Sequence, residues 1–389
     1  MRGQRETLAQ AKSSFPLSSP IWIHAASVGE FEQARPLIEK LQISNNKSQI
    51  VVTFFSPSGY EARKGYEQAD GIYYLPLPTR RNAKRFLDAI KPKMAIFVKY
   101  EFWPAYLREL KKREIPTYGI STIFRKEQYF FRWWGKPFLR DLKCFTHLYV
   151  QDEASCQLLQ KHGIMHCSVA GDTRFDRVRA VMANRLQSVD QRLAPMEEFA
   201  RGCERVIVAG STWQKDEVLL EKYMSTAPLT KLILVPHELN EEHLHFLFNL
   251  FKGRMVKYSA VHGMNDVQSR RNILQQAEVL LIDTMGLLSS TYRFGQVAYI
   301  GGGFGVGIHN TIEAAVYGIP VIFGPNYKHF REAKGLIAAG AARSIKNESE
   351  LEAALETALD RHEQIGAKAA EYVAAETGAT EKIYKEIFE

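Results

Sequence analysis

The sequence is poor in the patterns that usually settle a protein's chemistry. Four cysteines (Cys144, Cys156, Cys167 and Cys203) in 389 residues form no CxxC pair. That argues against a dithiol redox centre or a cysteine zinc site and fits the reduced thiols of a cytoplasmic protein. No stretch approaches the ~20 apolar residues of a membrane-spanning helix. The start, MRGQRETLAQAKSS, is polar and basic and lacks the apolar centre of a signal peptide. There is no HExxH, and His237, His243 and His245 sit in one short segment of the kind that seldom closes a metal site. No Asp-x-Asp pair offers two carboxylates to magnesium, so any phosphate charge would be met by amides, hydroxyls, Lys and Arg. Neither a short-period repeat nor a low-complexity tract is present.

What is present is a chain rich enough in apolar residues (46%) to build real cores, and long enough for two ordinary domains. The net charge of +8 suits an acidic partner: nucleic acid, an anionic membrane or a phosphorylated or carboxylated substrate. The excess is local. Between Arg80 and Lys143 there are seventeen Lys or Arg against six Asp or Glu, and the run includes YFFRWWGKPF, residues 129–138. Such interleaving fits a bilayer interface, and it equally fits core rings beside solvated cations.

Short apolar runs alternate with helical periodicity along the whole chain, the mark of an α/β protein with parallel sheets. Strands are expected at Ile21–His24, Ile50–Phe54, Ile72–Leu75, Met94–Val98, Pro116–Ile120 and His147–Val150. A second set follows at Val206–Ala209, Leu232–Val235, Val256–Tyr258, Leu280–Ile282, Val297–Ile300 and Val321–Phe323. The economical reading is two doubly wound domains, 1–190 and 191–370, joined in the charged stretch between Asp176 and Arg205, with residues 371–389 packing back on the first. Open sheets of this kind bind ligands at the carboxyl ends of their strands, which directs attention to the turns there.

Five such turns carry chemistry. In HAASVGE, residues 24–30, Ser27 and Glu30 have capping-box spacing, so Glu30 either caps the helix or moves a proton. In KYEFWP, residues 99–104, Glu101 follows a strand and suits a helix start. Arg174 lies in GDTRFD, residues 171–176, and is placed to reach a ligand. In AGSTW, residues 209–213, Gly210, Ser211 and Thr212 end a strand and start a helix, forming an anion cradle. The richest turn is GGGFGVGIHNTIEAAVYGIPVIFGPN, residues 301–326. Its glycines let backbone approach a ligand, and the run satisfies neither GxGxxG nor GxxxxGK, which argues against a dinucleotide fingerprint and a P-loop. Asn310 and Glu313 again have cap spacing; Glu313 alternatively accepts from both hydroxyls of a ribose.

Taken in order from Ile21 to Lys334, HAASVGE, FFSPSGYE, KYEFWP, GDTRFD, AGSTWQKDE, PHE, IDTMGLL and the glycine-rich turn resemble the 3-deoxy-D-manno-octulosonic acid (Kdo) transferases of Gram-negative lipopolysaccharide synthesis. The resemblance implies a GT-B fold, two Rossmann-like domains facing a central cleft, the first binding the acceptor and the second the CMP-sugar. It implies inverting, metal-independent transfer of Kdo from CMP-Kdo to a lipid A precursor, with no cofactor and no nucleic acid. Glu30 becomes the general base, Glu101 a carboxylate needed for activity, and Arg174 a group that steadies the leaving phosphate. Nucleotide contacts fall on Pro236, His237, Met285, Gly286, Leu287, Asn310, Thr311, Ile312 and Glu313; Ser211 and Thr212 hold the phosphate or sugar acid. It also implies work at the cytoplasmic face of the inner membrane, where many family members carry an apolar N-terminal anchor; here only a basic segment begins the chain. The family's Ser-Ala-Arg segment is replaced by ISTIFR, residues 120–125, which leaves the roles of Ser121 and Arg125 open. Other readings are a GT-B transferase or epimerase using a UDP-sugar, or a basic lipid-binding protein without activity.

Overall fold

The computed structural model describes residues 19–44, 48–187 and 190–389; the basic N-terminal segment lies outside them. Contacts divide the chain into two units, one running to Arg177 and including Glu376–Glu389, the other spanning Val178–Ala375. The division falls inside the helix Thr173–Gln187.

The first unit holds strands β1 (Ile21–His24), β2 (Ile50–Phe54), β3 (Gly71–Tyr74), β4 (Met94–Val98), β5 (Thr117–Thr122), β6 (His147–Val150) and β7 (Cys167–Val169). They pair in parallel, in the order β3-β2-β1-β4-β5-β6-β7. Central strands of such a sheet are covered on both faces and need unbroken apolar runs; β1 (IWIH) and β2 (IVVTF) are buried at every position. Alternation then assigns the faces. Trp22, Val51 and Phe97 pack with Phe86, Leu87, Tyr106 and Leu110. Ile21, Ile23, Val52 and Ile96 pack with Phe31, Leu37 and Ile38 of the helix Val28–Ile43, and with Ile383 of the terminal helix Ala379–Phe388. That last helix is fastened by Asp176, whose carboxylate accepts from the Gly378 and Thr380 amides at 2.6 and 2.7 Å and from the Thr380 hydroxyl at 2.7 Å.

The second unit repeats the plan with β8 (Arg205–Thr212), β9 (Thr230–Pro236), β10 (Met255–Lys257), β11 (Val279–Leu281), β12 (Val297–Ile300), β13 (Val321–Phe323) and β14 (Ala342–Ser344). All its pairings are parallel, in the order β10-β11-β9-β8-β12-β13-β14. In each sheet the order in which strands are added reverses beside the first strand: between β1 and β4, and between β8 and β12.

Three local results differ from the sequence reading. The edge strands β7 and β14, three residues each, escape an apolar-run criterion because they are only partly buried. Strand β8 continues through Gly210, Ser211 and Thr212, and the next helix starts at Gln214. The helix expected near Asn310 opens at Ile312.

Candidate active site

In the first unit the residues of interest collect where β1 and β4 end, at the sheet's switch point. Ser27 is the N-cap of the helix Val28–Ile43, yet its side chain bonds no backbone amide. Its hydroxyl donates instead to the Glu30 carboxylate. The expected capping box is therefore absent: the two side chains meet each other rather than the backbone, and Glu30 is half-buried at the mouth of the sheet.

Glu101 follows β4 and is tied to two partners. The Trp103 indole donates to its Oε2 at 2.6 Å, and His24 Nε2, at the end of β1, stands 3.3 Å from the same oxygen. Between the end of β4 and Glu101 lies Lys99 at φ +62°, a left-handed backbone that costs a non-glycine residue energy and turns the chain sharply out of β4.

Arg174 is held within its own segment. Its guanidinium donates to Asp172 Oδ2 at 2.9 and 2.7 Å, and its amide to Oδ1 at 3.0 Å. Gln33, from the helix that carries Glu30, donates to the same carboxylate at 2.9 Å. Burial alone would raise the Asp172 carboxyl, but the Arg174 charge and these bonds hold it below its ordinary value. Ser121 proves to be a structural knot. It sits at φ +49°, its hydroxyl lies 2.9 Å from Thr173 Oγ1, and Thr173 in turn donates to the Gln33 carbonyl at 2.6 Å.

The second unit gathers its candidates where β8, β9 and β12 end. Thr212 pairs with Pro236 across β8 and β9, and the His237 amide donates to the Thr212 carbonyl at 3.0 Å. Thr212 is fully buried and gives its hydroxyl to Glu217 at 2.8 Å, so Ser211 is the one of the pair left to present a side chain; this corrects the expected two-hydroxyl cradle. Pro236, Leu287, Thr311 and Ile312 are likewise buried. They can offer a ligand backbone but little side chain. Met285 is 77% exposed, and Gly286 beside it takes φ +84°. Asn310 Oδ1 accepts from the Ile312 amide at 3.1 Å, and its side-chain amide donates to Glu313 at 2.9 Å. The Thr311 hydroxyl is buried without a partner among the described residues.

Three residues that sequence reasoning missed, Trp213, Asp216 and His309, shape this edge together with the expected His237. Trp213, His237 and His309 stack in series, with ring centroids 4.7 and 4.4 Å apart. Burial, then the neighbouring His237, lowers the His309 pKa, which favours a neutral ring. Asp216 accepts from the Trp213 and Gly302 amides at 3.0 and 2.9 Å and from the Tyr299 hydroxyl at 2.8 Å, so it pins the glycine-rich turn to the helix start. The available signal was adjacency: Trp213 follows Ser-Thr, and His309 precedes Asn310. A cavity of about 470 Å³, lined by Trp213, Lys215, Glu238, Asn240, Phe304 and Val306 among others, opens beside this turn. None of the expected nucleotide contacts lines it.

The basic aromatic run divides. Phe130 is in the core, packed on Phe102, whereas Tyr129, Trp133 (85%), Trp134 and Phe138 are exposed beside Arg132 and Arg140. Among the described residues no helix is long and apolar enough to cross a membrane.

Residues 2–177 match the family described as 3-deoxy-D-manno-octulosonic-acid transferase (kdotransferase). A 3-deoxy-D-manno-octulosonic acid transferase of Aquifex aeolicus is 27% identical over 340 residues, covering 85% of this chain and 83% of that one. Among solved structures, a UDP-GlcNAc 2-epimerase from Neisseria meningitidis aligns with a TM-score of 0.66 at 16% identity, over 94% of this chain and 98% of its own. MurG from Acinetobacter baumannii aligns at 0.57 and 13%, over 95% and 99%. At such identities the two structures speak for the fold. The first unit thus matches the Kdo transferase family pattern over nearly its whole length, and the chain has the two-domain GT-B fold and is similar in sequence to Kdo transferases.

Proposed function

We propose that this chain transfers Kdo from CMP-Kdo to a lipid A precursor in lipopolysaccharide assembly, with inversion and without a metal ion. The observation that carries the reading is Glu30: it stands at the first sheet's switch point, in a segment matching the transferase family, and it does not cap its helix. In the proposed reaction an acceptor hydroxyl attacks the anomeric carbon of Kdo, the bond from that carbon to the CMP phosphate oxygen breaks, and Glu30 takes the hydroxyl proton. Negative charge grows on the departing phosphate, and Arg174 and the backbone amides near Ser211 are the groups suited to stabilise it.

Pro236 to His237, Met285 to Leu287 and Asn310 to Glu313 hold the nucleotide in this reading, largely through backbone. Among the described residues no three His, Cys, Asp or Glu side chains come together as a metal site. The exposed rings of Tyr129, Trp133, Trp134 and Phe138, with the cations beside them, suit the headgroup region and phosphates of the membrane that carries the acceptor.

The purified chain, given a lipid A precursor, is expected to release CMP from CMP-Kdo and to leave UDP-GlcNAc untouched. Turnover of the UDP-sugar would favour the other GT-B reading. Absence of CMP binding in calorimetry would favour a lipid-binding protein.

A further inference from the structure

Glu101 has two oxygens with different fates. Both contacts made to it, from the Trp103 indole at 2.6 Å and from His24 at 3.3 Å, end on Oε2. Among the described residues no hydrogen bond reaches Oε1, and the side chain is 13% exposed. An indole N–H can only donate, so Trp103 fixes Oε2 as an acceptor.

His24 is fully buried and held from behind. Its Nδ1 lies 3.1 Å from the Thr53 carbonyl and 2.8 Å from the Thr53 hydroxyl oxygen, which itself accepts from Trp22 Nε1 at 2.8 Å. A carbonyl oxygen can only accept, so the first contact places a proton on Nδ1. Nε2 then accepts from the Trp103 indole, 3.0 Å away, when the ring is neutral, and donates to Glu101 when the ring is charged. In both states the ring abuts Oε2. Edge-on packing against Phe97 fixes the imidazole, and Phe55, its centroid 4.8 Å from the indole, fixes Trp103.

We propose that His24 and Trp103 are positioning residues that commit Glu101 Oε2 to the protein, so that Oε1 is presented in one orientation to accept a hydrogen bond from a hydroxyl of the sugar acceptor. An ionised carboxylate aimed this way favours a neutral hydroxyl and repels a phosphate, so it reads the sugar ring rather than its charged substituents. The assignment of the hydroxyl rests on the transferase reading above; the placement of Oε1 does not.

The test uses the full chain with Trp103→Phe, which removes the N–H and keeps a ring against Phe55, together with His24→Gln, Glu101→Gln and the doubles with Glu101→Gln. A lost hydrogen bond to a charged group predicts a fall in kcat of roughly 10- to 100-fold for Trp103→Phe, with KM within about twofold. Because both residues act through Glu101, each double is expected to be no slower than Glu101→Gln alone. Losses that multiply, or a wild-type kcat in Trp103→Phe, would overturn the proposal. The Trp103 indole proton resonance separates this from failure of the transferase reading. It is expected to move upfield in Glu101→Gln whether or not Kdo is the transferred sugar, and a resonance that stays put overturns the proposal independently of activity.

Discussion

The Ser27 hydroxyl, at the N-cap, donates to the Glu30 carboxylate in the first turn, side chain to side chain, and the Ser27 side chain caps no backbone amide of that helix. A carboxylate spared from capping is available for chemistry, at the cost of leaving the helix start to its backbone. Glu30→Ala is therefore expected to lower kcat by roughly 10²- to 10⁴-fold, the usual worth of a general base. Only one half-exposed hydrogen bond is lost, so the melting temperature should stay within about 3 °C. Retained activity would remove Glu30 from the mechanism; a large thermal loss would return it to a structural role.

Asp172 links the helix that carries Glu30, through Gln33, to the guanidinium of Arg174. Its folded pKa lies below its ordinary value, despite burial, because of Arg174. A depressed carboxyl stabilises the fold fully above the unfolded value of about 4 and loses that contribution as pH falls through the folded value. Urea unfolding of Asp172→Asn should show a loss of stability at neutral pH, about 3 kcal/mol in magnitude, and a shallower further loss on acidification than the parent. Equal acid slopes would contradict the pairing.

Gly303 meets Gly324 backbone to backbone, and a Cβ built on it would lie 2.6 Å from the Gly324 amide nitrogen. Gly303→Ala must push two main chains apart, a cost of about 1–3 kcal/mol or more. Calorimetry should show a lower melting temperature together with weaker CMP binding, since this contact shapes the turn after β12. An unchanged melting temperature would mean that the two turns do not touch.

Trp133 is 85% and Trp134 47% exposed. Replacing both with serine should leave stability within about 0.5 kcal/mol, as at most surface sites. Burying the two rings in lipid is worth enough that sedimentation with anionic vesicles should weaken roughly tenfold or more. Undiminished vesicle binding would assign the membrane contact elsewhere.

The sequence exposed the fold where strands are apolar and buried: β1, β2, β4, β6, β12 and β13 occupy the residues that apolar runs mark. It hid β7 and β14, which are only partly buried. At the sites, position after a strand was legible and partnership was not. Ser-x-x-Glu spacing is the same for a backbone cap and for the side-chain pair that Ser27 and Glu30 form. Glu101 could be singled out at a strand end, but His24 is 77 residues away in the chain, and only the neighbouring of β1 and β4 brings them together. Thr212 read as a surface hydroxyl because nothing in the local sequence announces that Glu217 turns back to take it.

The central claim is that this chain moves Kdo with Glu30 as the base. Mass spectrometry of a lipid A precursor incubated with CMP-Kdo and the purified chain tests it most directly, alongside the same reaction with Glu30→Gln. The account predicts a product heavier by at least one Kdo residue with the parent and unmodified acceptor with the variant. An unmodified acceptor in both reactions, or equal product in both, would contradict it.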